Sequence, residues 1–329
     1  MKLFLHIGYN KAGSTSIQTY FSENRAFFKK QGILYPETGI FSNAHYKLSG
    51  SLGIGVSPKK QEEKYTKETL LRKLHEEIQK EKPHTVLISS EYFILTKDFQ
   101  IIKNYFKDFE VKIIVYLRRH DEWIESLYNQ AIKTVQKPTW KKGIKNYIEK
   151  LKTDQPFPMN YSSFLEKLEQ VFDKENIIVR PFEKEQFYQQ SLIADSLQTI
   201  GYNFQNEIPE EIRKNDSLDT RLAEVVDDIK RSFQPIETQK VLIKQLNSLY
   251  FSKLESKKIF TLSQQDRQAL IDENLVSYND VAKKWLNNSS LFKNNEAKKG
   301  SVLQKKNNYH YLQIIVQLID IIERKKNKF

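Results

Sequence analysis

Four short apolar runs mark the first part of the chain: Leu3–Gly8 (LFLHIG), Thr85–Ser89 (TVLIS), Val111–Leu117 (VKIIVYL) and Asn176–Phe182 (NIIVRPF). Each is near-continuous rather than alternating, the pattern of a strand covered on both faces. Each is followed by residues at helical spacing. Ile17, Phe21 and Phe28 follow the first run, Trp123, Leu127 and Ala131 the third, and Phe187, Leu192, Ala194 and Leu197 the fourth. Strand, helix, strand, helix predicts an α/β fold with a central parallel sheet flanked by helices on both faces.

The intervals are less regular. Residues 32–66 hold SNAHYKLSGSLGIGVSP, with Gly50, Gly53 and Gly55 close together, and read either as a surface loop or as a mobile wall over a cleft. After 205 the chain turns polar and helical, with amphipathic helices expected over Leu218–Phe233 and Ser263–Leu286. Residues 287–308 read as a basic, polar linker. The stretch YHYLQIIVQLIDII that follows is too short and too polar to span a bilayer. It is expected to be a helix docked on its own domain, on a second copy to give a homodimer, or on a membrane surface. The expected division is one domain over 1–288 and a linker with a C-terminal amphipathic helix over 289–329.

Composition narrows the chemistry. The chain has no cysteine, which excludes disulfides, thiolate metal sites and a cysteine nucleophile. No cluster with metal-ligand spacing is seen. With no leader pattern at the start, a cytoplasmic location is expected, at most at the inner membrane surface. The net charge of +12 favours anionic partners: nucleic acid, acidic lipid, phosphorylated cofactors or acidic glycans. There is no nucleic-acid motif and no dense basic helix in the first 288 residues, so nucleic acid is not the expected partner.

The first strand ends in Gly8-Tyr9-Asn10-Lys11-Ala12-Gly13-Ser14-Thr15. A strand, a glycine-bounded turn and a helix start present backbone N–H groups and a helix dipole to an anion. Lys11 adds a point charge. A nucleotide loop of the GxxxxGK[ST] type needs its lysine after the second glycine. Here it precedes Gly13, and no strand-end Asp offers itself for magnesium, which disfavours an ATP or GTP hydrolase.

HIGYNKAGSTSIQ resembles the 5′-phosphosulfate loop of bacterial, carbohydrate-type sulfotransferases that use 3′-phosphoadenosine 5′-phosphosulfate (PAPS). In that family the lysine stands before Gly-[ST]-[ST]. The resemblance continues in VKIIVYLRRHDEWIESLYNQ, where Arg118 at a strand end and Ser126 eight residues on match the pair that holds the 3′-phosphate. VFDKENIIVRPFEKEQFYQQSLIADSLQTIGY resembles a later strand-helix unit, and Arg213-Lys214-Asn215-Asp216-Ser217-Leu218 weakly matches a cofactor-covering loop. The resemblance covers roughly residues 1 to 288.

It implies a P-loop-like three-layer fold with a helical C-terminal part. It implies PAPS as donor, PAP as product and no metal, with Asn10, Lys11, Ala12, Gly13, Ser14, Thr15, Ser16, Arg118, Ser126 and Arg213 on the cofactor. Arg119 either joins them or pairs with Glu122. Lys11 is placed to stabilise the leaving phosphate. The base is expected to be Glu91, which follows the second strand in LISSEYF, or His45 in SNAHYKL, which has a suitable ordinary pKa. His6, inside a strand, reads as a core histidine. The implied activity is transfer of a sulfuryl group to a hydroxyl of a glycan or glycolipid. Tyr92, Phe93, Trp123 and Trp140 are candidates to stack on sugars or to sit in the core. The competing readings are a P-loop kinase with an aberrant loop, and a non-catalytic anion or nucleic-acid binder.

Overall fold

The structure, a computed structural model, describes residues 1–55, 65–135, 137–204, 208–210, 220–232, 235–250 and 259–302. The chain divides into two compact units. The first comprises Met1–Arg119, Pro156–Lys214 and Glu273–Asn295, and the second His120–Gln155, Asn215–Asp272 and Glu296–Phe329.

The first unit is built on a five-stranded parallel sheet: β1 (Lys2–His6), β2 (Ile33–Leu34), β3 (Thr85–Ser89), β4 (Glu110–Leu117) and β5 (Ile177–Pro181), in the spatial order β2-β3-β1-β4-β5. The four apolar runs supply four of these strands. The two-residue β2 has no apolar run of its own in the sequence pattern. Central β1 is buried from Leu3 onward because β3 and β4 flank it and helices cover it.

Two helical layers enclose the sheet. α1 (Ser14–Glu23) packs on α2 (Arg25–Lys30) and on α9 (Leu192–Thr199). α5 (Gln100–Tyr105) packs on α8 (Tyr161–Phe172), which lies against β4 and β5. α8 forms where the sequence signals it: the Asn160 side chain accepts from the Ser163 N–H at 2.9 Å, and Tyr161, Phe164, Leu165, Leu168 and Phe172 make one buried stripe. α4 (Lys67–Glu81) starts on the Thr66 cap, buries Leu70 and Leu74, and stops at Lys82, ahead of Pro83. Between β2 and β3, α3 (Tyr46–Ser51) occupies the stretch expected to be loop, with Ala44, His45, Leu48 and Ser49 buried. The inner half of that stretch is therefore packed core.

Order β2-β3-β1-β4-β5 means the chain leaves β1 towards β2, then crosses back over β1 to reach β4. The topological switch lies between β1 and β4, at the carboxyl ends of the strands, where open parallel sheets bind ligands.

The second unit contains α6 (His120–Thr134), α7 (Ile144–Asp154), α10 (Thr220–Arg231), α11 (Ile236–Tyr250) and a short parallel pair, β6 (Ile259–Phe260) with β7 (Ser301–Val302). The buried Lys230 ammonium closes the end of α6, donating to the carbonyls of Ile132, of Lys133 at 3.0 Å and of Val135 at 2.8 Å. Burial holds this lysine below its usual range. Within α6, Glu125 accepts from the N–H groups of Thr261 at 3.2 Å and Leu262 at 2.7 Å, and burial pushes its carboxyl up.

α12 runs from Gln264 to Val281 and continues as a wider helical turn over Ala282–Leu286. Leu291 and Phe292 are buried in the first unit, where Phe292 meets Tyr278 edge-on, and Ala297 is buried in the second. Two apolar side chains in a polar run suffice to anchor it. The apolar stretch 309–322 lies outside the described residues.

Candidate functional site

The loop after β1 is shaped by three residues with positive φ: Gly8 (23°), Lys11 (66°) and Gly13 (82°). Ala12 N–H closes onto the Tyr9 carbonyl at 3.1 Å, and the Ser14 hydroxyl onto the same carbonyl at 3.3 Å. Lys11 takes a left-handed conformation that a β-carbon disfavours, so the surrounding turn enforces it. Two glycines are required by contact. A Cβ on Gly8 would lie 2.7 Å from Ser14 Oγ and 2.9 Å from His6 Nε2, and one on Gly13 would lie 2.4 Å from Leu192 Cδ2.

α1 begins at Ser14 with Gly13 as its N-cap and no side-chain cap. Ser14 is buried, whereas Thr15 and Ser16 are exposed on the first turn. Asn10, Lys11 and Gly13 are half-buried and Ala12 is buried. A glycine-bounded turn at the start of a ten-residue helix fits a phosphate group.

Arg118, the first residue after β4, reaches this loop. Its Nη1 donates to the Lys11 carbonyl at 2.7 Å, its guanidinium lies over the Phe182 ring at 5.3 Å, and its own carbonyl accepts from Tyr161 OH at 2.5 Å. Arg119 is buried and donates to the Asn294 carbonyl at 2.6 Å, while Glu122 pairs with Lys298 within the second unit at 2.9 Å. Ser126 is half-buried on the second turn of α6, in the second unit. Arg213 lies outside the described residues.

Glu91 opens a 3-10 turn, Glu91–Leu95, directly after β3. Ser90 fixes the turn: its N–H donates to the His6 carbonyl at 3.1 Å and its hydroxyl accepts from Tyr92 N–H at 3.3 Å. The half-buried carboxylate is held on both oxygens, Oε1 by Tyr46 OH at 2.5 Å and Oε2 by Gln18 Nε2 at 2.7 Å.

His45 is fully buried, and both ring nitrogens are engaged. Nδ1 accepts from Ser89 N–H at 3.1 Å and Nε2 donates to the Pro36 carbonyl at 3.0 Å. Burial lowers its pKa to about 3, against a smaller upward pull from the two backbone bonds. This imidazole ties the 36–45 segment to the end of β3, with both ring nitrogens turned to backbone. His6 sits in the core as expected, with its pKa lowered by burial to about 4.

Of the candidate stacking aromatics, Phe93, Trp123 and Trp140 are buried. Tyr92 is half-exposed; its ring packs against Tyr46 with centroids 4.5 Å apart, and Gly55 lies against its edge.

Gln18 and Tyr46, which hold Glu91, are not singled out by the sequence pattern. Gln18 had a weak signal: it is a polar residue inside the apolar stripe Ile17–Phe21. Tyr46 had none, because its partner is 45 residues away. A cavity of about 880 Å³ on the far side of α3, lined by residues such as Gly53, Tyr65, Lys67 and Tyr105, contains neither the loop, Glu91 nor Arg118. Among the described residues no group of three His, Asp or Glu converges as a metal site, and no helix is long and apolar enough to cross a membrane.

The fold and loop together define a P-loop-like, three-layer α/β protein. No family model matches the chain. A segment of 136 residues, 40% of this chain, is 33% identical to an uncharacterized protein of Archaeoglobus fulgidus. That match spans 34% of the relative, so the chain corresponds to about a third of its length. Among solved structures, a sulfotransferase from Alicyclobacillus acidocaldarius is similar at 18% identity with a TM-score of 0.44, over 69% of this chain and 92% of that one.

Proposed function

We propose that this chain transfers a sulfuryl group from PAPS to a hydroxyl of a glycan or glycolipid. The observation that carries the reading is a convergence at one sheet edge. The loop with Lys11 follows β1, Glu91 follows β3, Arg118 follows β4, and Arg118 touches the loop at the Lys11 carbonyl. These are neighbouring strands at the topological switch, and they carry the charges this chemistry needs. The loop motif adds that its lysine precedes the second glycine, the order found in 5′-phosphosulfate loops.

PAPS would supply the sulfuryl group and leave as PAP. The loop N–H groups and Lys11 would offset charge growing on the leaving phosphate. Arg118 would bind the 3′-phosphate, with Ser126 as its second ligand. Glu91 would take the acceptor's proton. It is the proposed base because its carboxylate is half-buried and fixed in place, whereas His45 is committed to backbone. The net charge of +12 suits an acidic acceptor.

Calorimetric titration with PAP, in parallel with ADP and with ATP plus magnesium, tests the reading. The expected result is magnesium-independent preference for PAP, weakened about 10- to 100-fold in Arg118→Ala, the loss of one to two charge-assisted hydrogen bonds. Preference for ATP with magnesium, or equal binding of all three, would overturn it.

A further inference from the structure

We propose that Tyr46 and Gln18 are positioning residues for Glu91, and that Gln18 ties the carboxylate to the floor of the anion loop through Ser89 and His6. The inference rests on the reading of Glu91 as the base.

Each Glu91 oxygen receives one short hydrogen bond, from Tyr46 OH at 2.5 Å and from Gln18 Nε2 at 2.7 Å. Hydrogen bonds to a charged acceptor are stronger than neutral ones, and one on each oxygen fixes the plane of the carboxylate. The remaining lone pairs then point in set directions. Tyr46 serves as a donor throughout: burial and the adjacent carboxylate both push its phenol above the ordinary range.

Gln18 is buried on the second turn of α1, and its amide nitrogen makes a second bond, to Ser89 Oγ at 3.1 Å. Both amide protons are therefore used. Ser89 Oγ also bonds His6 Nδ1 at 2.8 Å, and in the proposed chain the serine is the donor of that bond. Parallel register makes this contact possible, since His6 and Ser89 sit side by side at the ends of β1 and β3. The proposed chain makes His6 the Nε2–H tautomer. That Nε2 is buried without a hydrogen-bond partner, on the side of Gly8 where a Cβ would come within 2.9 Å of it. One ordered chain thus runs Tyr46, Glu91, Gln18, Ser89, His6 and ends beneath the first glycine of the loop. Buried hydrogen-bond networks hold their members in place, and removal of one link loosens its neighbours.

The test uses Tyr46→Phe and Gln18→Met, which keep volume and remove the donors, with Glu91→Gln as reference. Turnover is read as sulfate release from PAPS with water as acceptor. Both variants are expected to lower kcat about 10- to 100-fold, with PAP affinity within twofold of the parent. Unchanged kcat, or a loss confined to PAP binding, would overturn the positioning role. In parallel, ¹⁵N-labelled histidine spectra report His6 without any reaction. A bare Nδ1 and a protonated Nε2 are expected, with the Nδ1 resonance displaced in Gln18→Met. A protonated Nδ1, or a resonance indifferent to Gln18→Met, would overturn the chain. Should the parent protein neither bind PAP nor release sulfate, the sulfotransferase reading fails, and the histidine spectra still decide the network.

Discussion

Replacing His45 by Gln separates a buried structural histidine from a solvent-exposed base. Burial holds the folded His45 pKa at about 3, against 6.5 for an exposed imidazole. Below 6.5 the unfolded chain binds a proton that the folded chain refuses until about 3. The contribution is therefore complete above 6.5 and is lost as pH falls through that window. Between about pH 7.5 and pH 5 the loss is about 2 kcal/mol, and carried to completion below both values it approaches about 5 kcal/mol. His6, lowered to about 4, loses a similar amount over the same interval, since pH 5 lies above both folded values. Together the two histidines should remove about 4 kcal/mol of stability between about pH 7.5 and pH 5. In His45→Gln that part of the fall should be about 2 kcal/mol smaller, whatever the variant's absolute stability. Urea unfolding of both proteins at the two pH values measures it. If parent and variant decline in parallel, His45 titrates alike in the folded and unfolded states and is not the buried, low-pKa imidazole described above.

Gly13→Ala should cost about 2–4 kcal/mol, from the left-handed backbone together with overpacking against Leu192 and Phe182, and chemical denaturation reads it. Asp195 is fully buried and accepts from Tyr116 OH at 2.8 Å, Arg180 Nε at 3.0 Å and Tyr188 N–H at 2.9 Å; Asp195→Ala should cost about 3–5 kcal/mol, and a smaller loss would show the pair to be relaxed by solvent. Ser126→Ala should weaken PAP by up to about tenfold while leaving ADP binding unchanged in calorimetry, because only PAP carries the 3′-phosphate that this hydroxyl is proposed to hold.

The layered α/β fold and the glycine-bounded loop after β1 were legible in the sequence. Strands buried on both faces must be apolar along their whole length, so Leu3–His6, Val86–Ile88, Ile113–Leu117 and Ile177–Val179 are visible without knowing their partners. The loop is local too: its two glycines and its helix start are contiguous, and their geometry is set within eight residues. Arg118 was legible because a charge directly after a buried strand has to emerge at the sheet's edge. Leu291 and Phe292 are buried without any periodicity around them, so the sequence pattern does not announce their burial. The burial of His45 against backbone, and the hold of Tyr46 and Gln18 on Glu91, could be read only from the folded chain, since residue type does not say which partners a side chain meets. Gln18 and Tyr46 likewise depend on contacts spanning 73 and 45 residues, which exist because β1 and β3 are neighbours in space but not in sequence.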